Sequence, residues 1–161
     1  MHEGLMVKGF FRLQIEDPES GEIVGDSGFV QNQITNDGVL GYLVNSLGSL
    51  ANSSYISYAG LGEGTAPGAS DTSLQSEVTG TNSQVQRASV NAAASGSTGV
   101  RFTGTFSSGA SFVTAQESIQ NIGLFRSSTG GTIFAGNTYG QSTIDTNQNA
   151  NFTYDITFTP S

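Results

Sequence analysis

The stretch ANFTYDITFT, residues 150–159, decides the fold class of this chain. Large apolar side chains occupy its even positions from Phe152 to Phe158, and short polar side chains occupy its odd positions from Thr153 to Thr159. Because successive side chains of a β-strand point to opposite faces, this alternation predicts a strand with one buried face and one polar face.

The same alternation recurs along the chain, most clearly over residues 5–15 and 100–106. Shorter strands are predicted at 22–24, 28–34, 55–61, 84–92, 111–115, 118–125 and 132–137. Clusters of Gly, Ser, Asn and Thr separate these segments, which is typical of domains built from short antiparallel strands. We therefore predict one all-β domain over residues 1–161, an antiparallel jelly-roll-like β-sandwich.

Two segments interrupt the strand pattern. Thr35 or Asn36 can cap a helix, and apolar residues recur at helical spacing up to Leu47, so a short α-helix is predicted over residues 36–47. Its glycines lower helix propensity, which favours a helix held by packing and pressed close to a sheet. Residues 60–83 are too long for an ordinary sandwich loop and predict an extended arm rich in Gly, Ser and Thr, with one helical turn within 71–78.

Charge and rare residues exclude several classes of function. Only 11% of the residues are charged, and the net charge is −8. Phosphate binding needs clustered Lys and Arg, and the chain has five in total, so we expect no nucleic-acid partner. The chain has no Cys and only one His, His2, so it lacks most of the residues from which catalytic triads and metal sites are usually built. We expect no enzymatic activity, no cofactor, no bound metal and no small-molecule substrate.

The apolar runs are short, and the start of the chain is neither basic nor strongly apolar. No run is long enough to span a bilayer as a helix, so we expect no membrane partner. Residues 1–5 do not resemble a signal peptide, so we expect no export through the Sec pathway.

Uncharged polar side chains dominate the composition. Ser, Thr, Asn and Gln account for 60 of the 161 residues. These groups form hydrogen bonds without the desolvation cost of burying an ion, and charge is depleted at the centres of protein interfaces. The composition therefore favours a component of a protein assembly.

Three local patterns suggest chemistry, and each has a simpler conformational explanation. Gly60 to Gly64 looks like a phosphate loop, but no Lys follows it, and Glu63 would repel an anion. Residues 145–151 space their oxygens like the first half of a calcium loop, but lack its glycine and its final Glu. The thirteen carboxylates are scattered, so no glycosidase pair can be assigned from the sequence.

A carbohydrate-binding module is the alternative from another functional class. Its sugar contacts would come from Tyr55, Tyr58 or Tyr139, together with Asn side chains. Because the chain has so few cations, we expect them to pair with acids. Asp71 and Glu77 lie near Arg87 in the sequence and are plausible partners for it. A surface pair of this kind would add little stability.

Three stretches, taken in order, resemble a pattern found in small structural proteins of tailed bacteriophages. The first runs from Val7 to Val39 and resembles a strand, a turn with Gly-Glu, and an Asn-x-Ile-Thr-x-x-Gly-Leu helix start, with Val39 at the Leu position. The second joins GLGEGTAP, residues 60–67, to DTSLQSE, residues 71–77, and is usually followed by an Arg. The third, NIGLF at 121–125, is similar to an E-x-G-L-F strand before a Gly-Gly turn, with Asn121 at the acidic position.

The resemblance implies a virion β-domain of the kind used in head decoration proteins, fibres and tail parts. It implies no catalytic residues. We expect a non-enzymatic viral structural protein, first of all a capsid decoration (cement) protein that bridges capsomers of the phage head. The expected location is the outer surface of the head or the tail, and the alternative role is a tail, baseplate or short-fibre component.

The expected partners are the major capsid protein or other virion proteins, and a homotrimer is expected because decoration proteins sit on local threefold axes. The arm would lie across a neighbouring subunit. Its candidate contact residues are Thr65, Pro67, Asp71, Leu74, Glu77 and Arg87.

Overall fold

The computed structural model describes residues 5–39, 42, 55–80 and 87–160. Within these ranges the chain forms ten strands and one short 3-10 helix, Ser108–Ala110. The strands are β1 Leu5–Glu16, β2 Ile23–Asp26, β3 Val30–Ile34, β4 Tyr58–Gly62, β5 Arg87–Ser89, β6 Asn91–Ser95, β7 Gly99–Phe106, β8 Glu117–Phe125, β9 Ile133–Ile144 and β10 Asn149–Pro160.

All strand pairs are antiparallel, and the strands follow the order β5-β4-β8-β9-β3-β1-β10-β7-β6, with β2 beside β1. The sheet folds back on itself at β3. Residues 30–32 pair with β1, whereas residues 33–34 pair with β9. We call the half that contains β1, β2, β6, β7 and β10 sheet A, and the half that contains β4, β5, β8 and β9 sheet B. The predicted all-β antiparallel sandwich is confirmed.

The core lies between the two sheets, where the alternation of β1 and β10 places it. These two strands pair over their full length, with Phe11 opposite Tyr154 and Leu13 opposite Phe152. All four of these side chains are buried, while the intervening Arg12 is half-buried on the other face. The Phe106 and Phe152 rings also pack against each other, with 5.6 Å between their centroids. Period-two patterning thus determines which side of sheet A faces the core.

Two strand predictions need correction. Residues 111–115 form no strand and instead follow the 3-10 helix. The adjacent Phe112 and Val113 are both buried, whereas a strand with one solvent-exposed face would bury only one of two neighbours. The segment 84–92 is described from residue 87, and it is divided at Val90 between β5 in sheet B and β6 in sheet A. The helical turn expected within 71–78 is also absent. Residues 75 and 76 form a turn instead, with Ser76 at a φ of 50°, and Glu77 then bridges to Gly62.

The predicted helix is described only at its start. Residues 36–39 and 42 have helical backbone, and the rest of 36–47 lies outside the described residues. Thr35 is the cap, because its hydroxyl oxygen accepts a hydrogen bond from the Gly38 N–H at 2.9 Å. A Cβ at Gly38 would lie inside van der Waals distance of the Phe134 carbonyl oxygen. Glycine therefore allows this segment to press against β9, as its composition predicted.

Candidate functional site

The arm covers the outer face of sheet B. Its residues 63–80 run along the sheet, and Pro67, Leu74 and Val78 are buried. Leu74 packs into a small apolar cluster with Phe125 and Ile133, separate from the main core. Backbone hydrogen bonds add to this contact, such as that from the Ile133 N–H to the Thr72 carbonyl at 3.0 Å. The arm is therefore a third layer of the domain itself.

Arg87 ties the arm to the sheet. Its Nε and Nη2 donate to the two carboxylate oxygens of Glu77 at 2.6 and 2.9 Å. Its Nη1 donates to the carbonyls of Ser127 and Gly130 at 2.8 and 2.7 Å. The guanidinium also lies over the Phe125 ring, 3.4 Å from the centroid. Every nitrogen of this cation is thus engaged within the chain.

Asn121 makes a second connection between arm and sheet. It is fully buried, and its side-chain nitrogen donates to the carbonyls of Thr65 and Gln75, each at 3.1 Å. A carboxylate has no hydrogen to donate, so the acid that the phage pattern places at this position would not make these two bonds. Sequence reasoning treated Asn121 only as a departure from a motif. A partial signal was available in the sequence, because residues 122–125 directly after Asn121 form an unbroken run without polar side chains, as in strands buried on both faces.

The six candidate contact residues therefore divide into two groups. Pro67 and Leu74 are buried between the arm and sheet B, and Glu77 and Arg87 form an ion pair whose side chains are 9% and 4% exposed. Only Thr65 and Asp71 are exposed. Contact between the arm and another subunit stays a prediction, and of the six candidate residues only Thr65 and Asp71 are exposed enough to make it.

The other sequence candidates have conformational roles. Gly60 to Gly62 belongs to β4, where a Cβ at Gly60 would collide with the Glu77 carboxylate, so glycine makes room for the ion pair. Residues 145–148 form a turn, with the Gln148 N–H donating to the Asp145 carbonyl at 3.1 Å. Tyr139 is buried against Phe11, with 5.7 Å between ring centroids, and burial raises the pKa of its hydroxyl. It cannot stack on a sugar from that position.

Two carboxylates meet at the base of the arm. Burial and the neighbouring Glu63 raise the pKa of Glu117. Glu63 also accepts a hydrogen bond from the Ser118 N–H at 3.3 Å. Within the described ranges, no group of three or more His, Asp or Glu side chains is placed to hold a metal ion.

The outer side of sheet A is the contrasting surface, because the arm does not reach it. We call it the open face and define it as the outward side chains of β1, β6, β7 and β10. Pairing across the strands places Arg12, Thr153, Thr103 and Asn91 in one row. The next row contains Gln14, Asn151 and Thr105, and the Thr105 hydroxyl donates to the Asn151 side-chain oxygen at 2.7 Å. These rows of the open face thus present mainly hydroxyl and amide groups, and the partly buried Phe10 of β1 lies on the same face.

The charges of the open face balance. It holds three of the five Lys and Arg residues: Lys8, Arg12 and Arg101. Arg101 pairs with Asp155 at 2.7 Å through both ends of its guanidinium. Arg12 pairs with Asp26 of the adjoining β2, and this hydrogen-bonded pair holds the pKa of Asp26 well below its usual range.

Exposed apolar side chains border this surface on the β1–β2 side. Val24 is 52% exposed and Phe29 is 54% exposed, and Met6, which is 47% exposed, lies on the open face itself at the opposite end of β1. The Phe29 ring lies near the Arg12 guanidinium, 5.9 Å from its central carbon. A polar centre with apolar residues at one margin is a surface on which a partner protein can exclude water.

An apolar cavity of about 260 Å³ opens at one end of the sandwich. Its described lining is aliphatic and aromatic, and includes Tyr55, Phe102, Phe134 and Phe158. The lining holds no pair of ionisable acids and bases of the kind that general acid–base catalysis uses.

No protein family, no curated protein and no solved structure matches this chain. Among the described residues, no helix is both long enough and apolar enough to cross a membrane.

Proposed function

We propose that this chain is a non-enzymatic structural protein of a tailed-phage virion, and first of all a capsid decoration (cement) protein. The observation that carries the proposal is the open face, a charge-balanced sheet surface on an otherwise acidic domain. Exposed apolar residues such as Val24 and Phe29 lie beside this surface, and apolar side chains next to a polar surface are a feature of protein contact sites.

The placement of the phage-like stretches supports the proposal. Glu77 lies in the second stretch, Phe125 ends the third, and Gly130 begins the Gly-Gly turn that follows. All three contact Arg87, the residue at the position of the Arg that usually follows the second stretch. The second and third stretches therefore converge on one internal network, as segments of one shared fold would.

The proposed mechanism is adhesion without covalent chemistry. Copies of the domain, arranged as a trimer on local threefold axes, would contact several capsid subunits at once. Multivalent attachment turns weak single contacts into stable binding. Because the protein would bind the assembled shell and not free capsid subunits, it would stabilise the shell by mass action.

The copy number of this chain in purified particles of the phage that encodes it tests the proposal. We expect the chain to be abundant relative to the major capsid protein, at a ratio set by the threefold sites, in a quantitative gel or by mass spectrometry. A few copies per particle would exclude decoration and support the tail, baseplate or short-fibre role. Absence from intact particles, or glycan-dependent cell binding by the isolated protein, would overturn the virion proposal.

A further inference from the structure

In the described part of the chain, the arm covers one of the two outer sheet faces, and no segment covers the other. On sheet B the arm buries outward side chains such as Asn121 and Phe125. On sheet A the outward positions are exposed or half-buried, among them Lys8, Arg101 and Thr105. The open face is thus the large sheet surface for which the described chain provides no cover.

The balance of charge indicates what can cover it. Lys8, Arg12 and Arg101 are matched in number by Glu16, Asp26 and Asp155, so this surface and its adjoining β2 sum to zero. The net charge of −8 is carried by the rest of the chain. Two copies of so acidic a protein repel each other, and the open face itself adds no net charge to this repulsion; the acids of the adjoining turn, Asp17, Glu19 and Glu22, lie outside it. A strongly basic partner would instead be attracted to the acidic surfaces.

The chemistry of the open face suits contact with a neighbouring copy. Hydroxyl and amide groups such as those of Thr103, Thr153 and Asn91 both donate and accept hydrogen bonds, so they can pair with polar groups of either kind on that copy. Strand spacings of about 4.8 Å and a rise of about 3.3 Å per residue give the four strands of this face an area of roughly 600 Å². A stable interface buries about 800 Å² per partner, and the adjoining β2 with the exposed Val24 and Phe29 extends the surface toward that size.

We infer that the open face is the surface through which one copy of this protein binds a second copy. This inference deepens the proposed function, on which it rests for its biological setting, by naming the contact surface and its occupant. Neither the arm nor the Arg87 network takes part in the contact.

The test uses the full chain and one matched pair of variants. Thr103→Arg places an unbalanced cation at the centre of the open face, and Thr129→Arg places the same side chain in the exposed turn before Gly130. We expect the unmodified chain and Thr129→Arg to sediment as multiples of 16.7 kDa, and Thr103→Arg to sediment as a single chain. An unmodified chain that stays monomeric at high concentration, or a Thr103→Arg variant that assembles normally, overturns the inference.

A second measurement does not depend on the folding of the arginine variant. The chain has no Cys, so Thr103→Cys and Thr129→Cys each introduce a single thiol. We expect maleimide to label the residue 103 thiol at least several-fold more slowly at high protein concentration than at low, and the residue 129 thiol at an unchanged rate. Equal rates at residue 103 would also overturn the inference. Neither result bears on the copy number in particles, so failure of this inference and failure of the virion proposal are distinguishable.

Discussion

Arg87 and Glu77 form a two-pronged ion pair that is almost completely withdrawn from solvent, with Nε and Oε1 2.6 Å apart. Ten residues separate them along the chain, and the pair sits between the arm and the outer face of sheet B. Because a buried ion is costly unless it is fully hydrogen-bonded, the pair allows little variation in how the arm lies on the sheet. This arm is thus a fixed layer of the domain.

Glu77→Gln should destabilise the protein strongly, because it leaves the Arg87 cation buried without its counter-charge. We expect the free energy of unfolding to fall by about 3–5 kcal/mol, measured by urea denaturation followed by circular dichroism. Asp155→Asn is the control; it breaks the pair with Arg101, whose side chain is 47% exposed, and should cost no more than about 1 kcal/mol. Equal losses in the two variants would show that the Arg87 pair is not specially sheltered.

Asn121→Asp should loosen the arm, because a carboxylate cannot donate to the carbonyls of Thr65 and Gln75. We expect a loss of about 1–3 kcal/mol for the unmade hydrogen bonds, together with faster proteolysis within residues 63–80. Asn147→Asp, in the exposed turn before β10, is the control for the added charge. Unchanged proteolysis in Asn121→Asp would mean that the apolar contacts of Leu74 hold the arm without Asn121.

Gly38→Ala should destabilise the segment after β3, because the added methyl group meets the Phe134 carbonyl oxygen. Forced repacking of this kind costs about 1–3 kcal/mol. Gly140→Ala adds the same methyl group to β9, where no atom lies within 4 Å of the new position, and should change stability by less than about 1 kcal/mol. Thermal unfolding of the two variants tests this difference. An unchanged melting temperature in Gly38→Ala would contradict the close approach of Gly38 to the Phe134 carbonyl.

Two phenylalanines of β10 should differ in their contribution to the core. Phe152 is only 2% exposed, whereas Phe158 is partly buried at the margin of the core. Phe152→Ala should lower the free energy of unfolding by about 3–5 kcal/mol, and Phe158→Ala by roughly half as much. A larger loss of unfolding free energy for Phe158→Ala than for Phe152→Ala in urea denaturation would contradict the assignment of Phe152 to the core.

Glu117→Gln should stabilise the protein at neutral pH and lose this advantage in acid. Burial and Glu63 raise the pKa of Glu117 in the folded state, so the ionised carboxylate favours the unfolded chain, and this penalty disappears once the group is protonated. The gain should be present at pH 7 and vanish below about pH 4. Glu19→Gln, in an exposed turn, controls for the loss of one negative charge. A gain independent of pH would contradict this account.

The local sequence predicted the strands better than it predicted the surface. Alternation placed β1, β7 and β10 correctly because inward and outward positions depend only on the period of the strand. It failed at residues 111–115, where Phe112 and Val113 are buried side by side in a loop. The arm was recognised from its length and composition, but its position was not, since nothing within 63–80 states which surface it will cover.

The amino-acid sequence by itself determined that this protein is an acidic, cysteine-free β-sandwich, because composition and period-two patterning are local properties. Only the tertiary structure decided which outer face is covered, which acid Arg87 meets, and how the cations of β1 and β7 share one surface. Those relationships depend on pairing between distant segments, such as β1 with β10, and on the packing of the arm over sheet B. Short-range sequence patterns determine neither the pairing of distant strands nor the surface on which the arm packs.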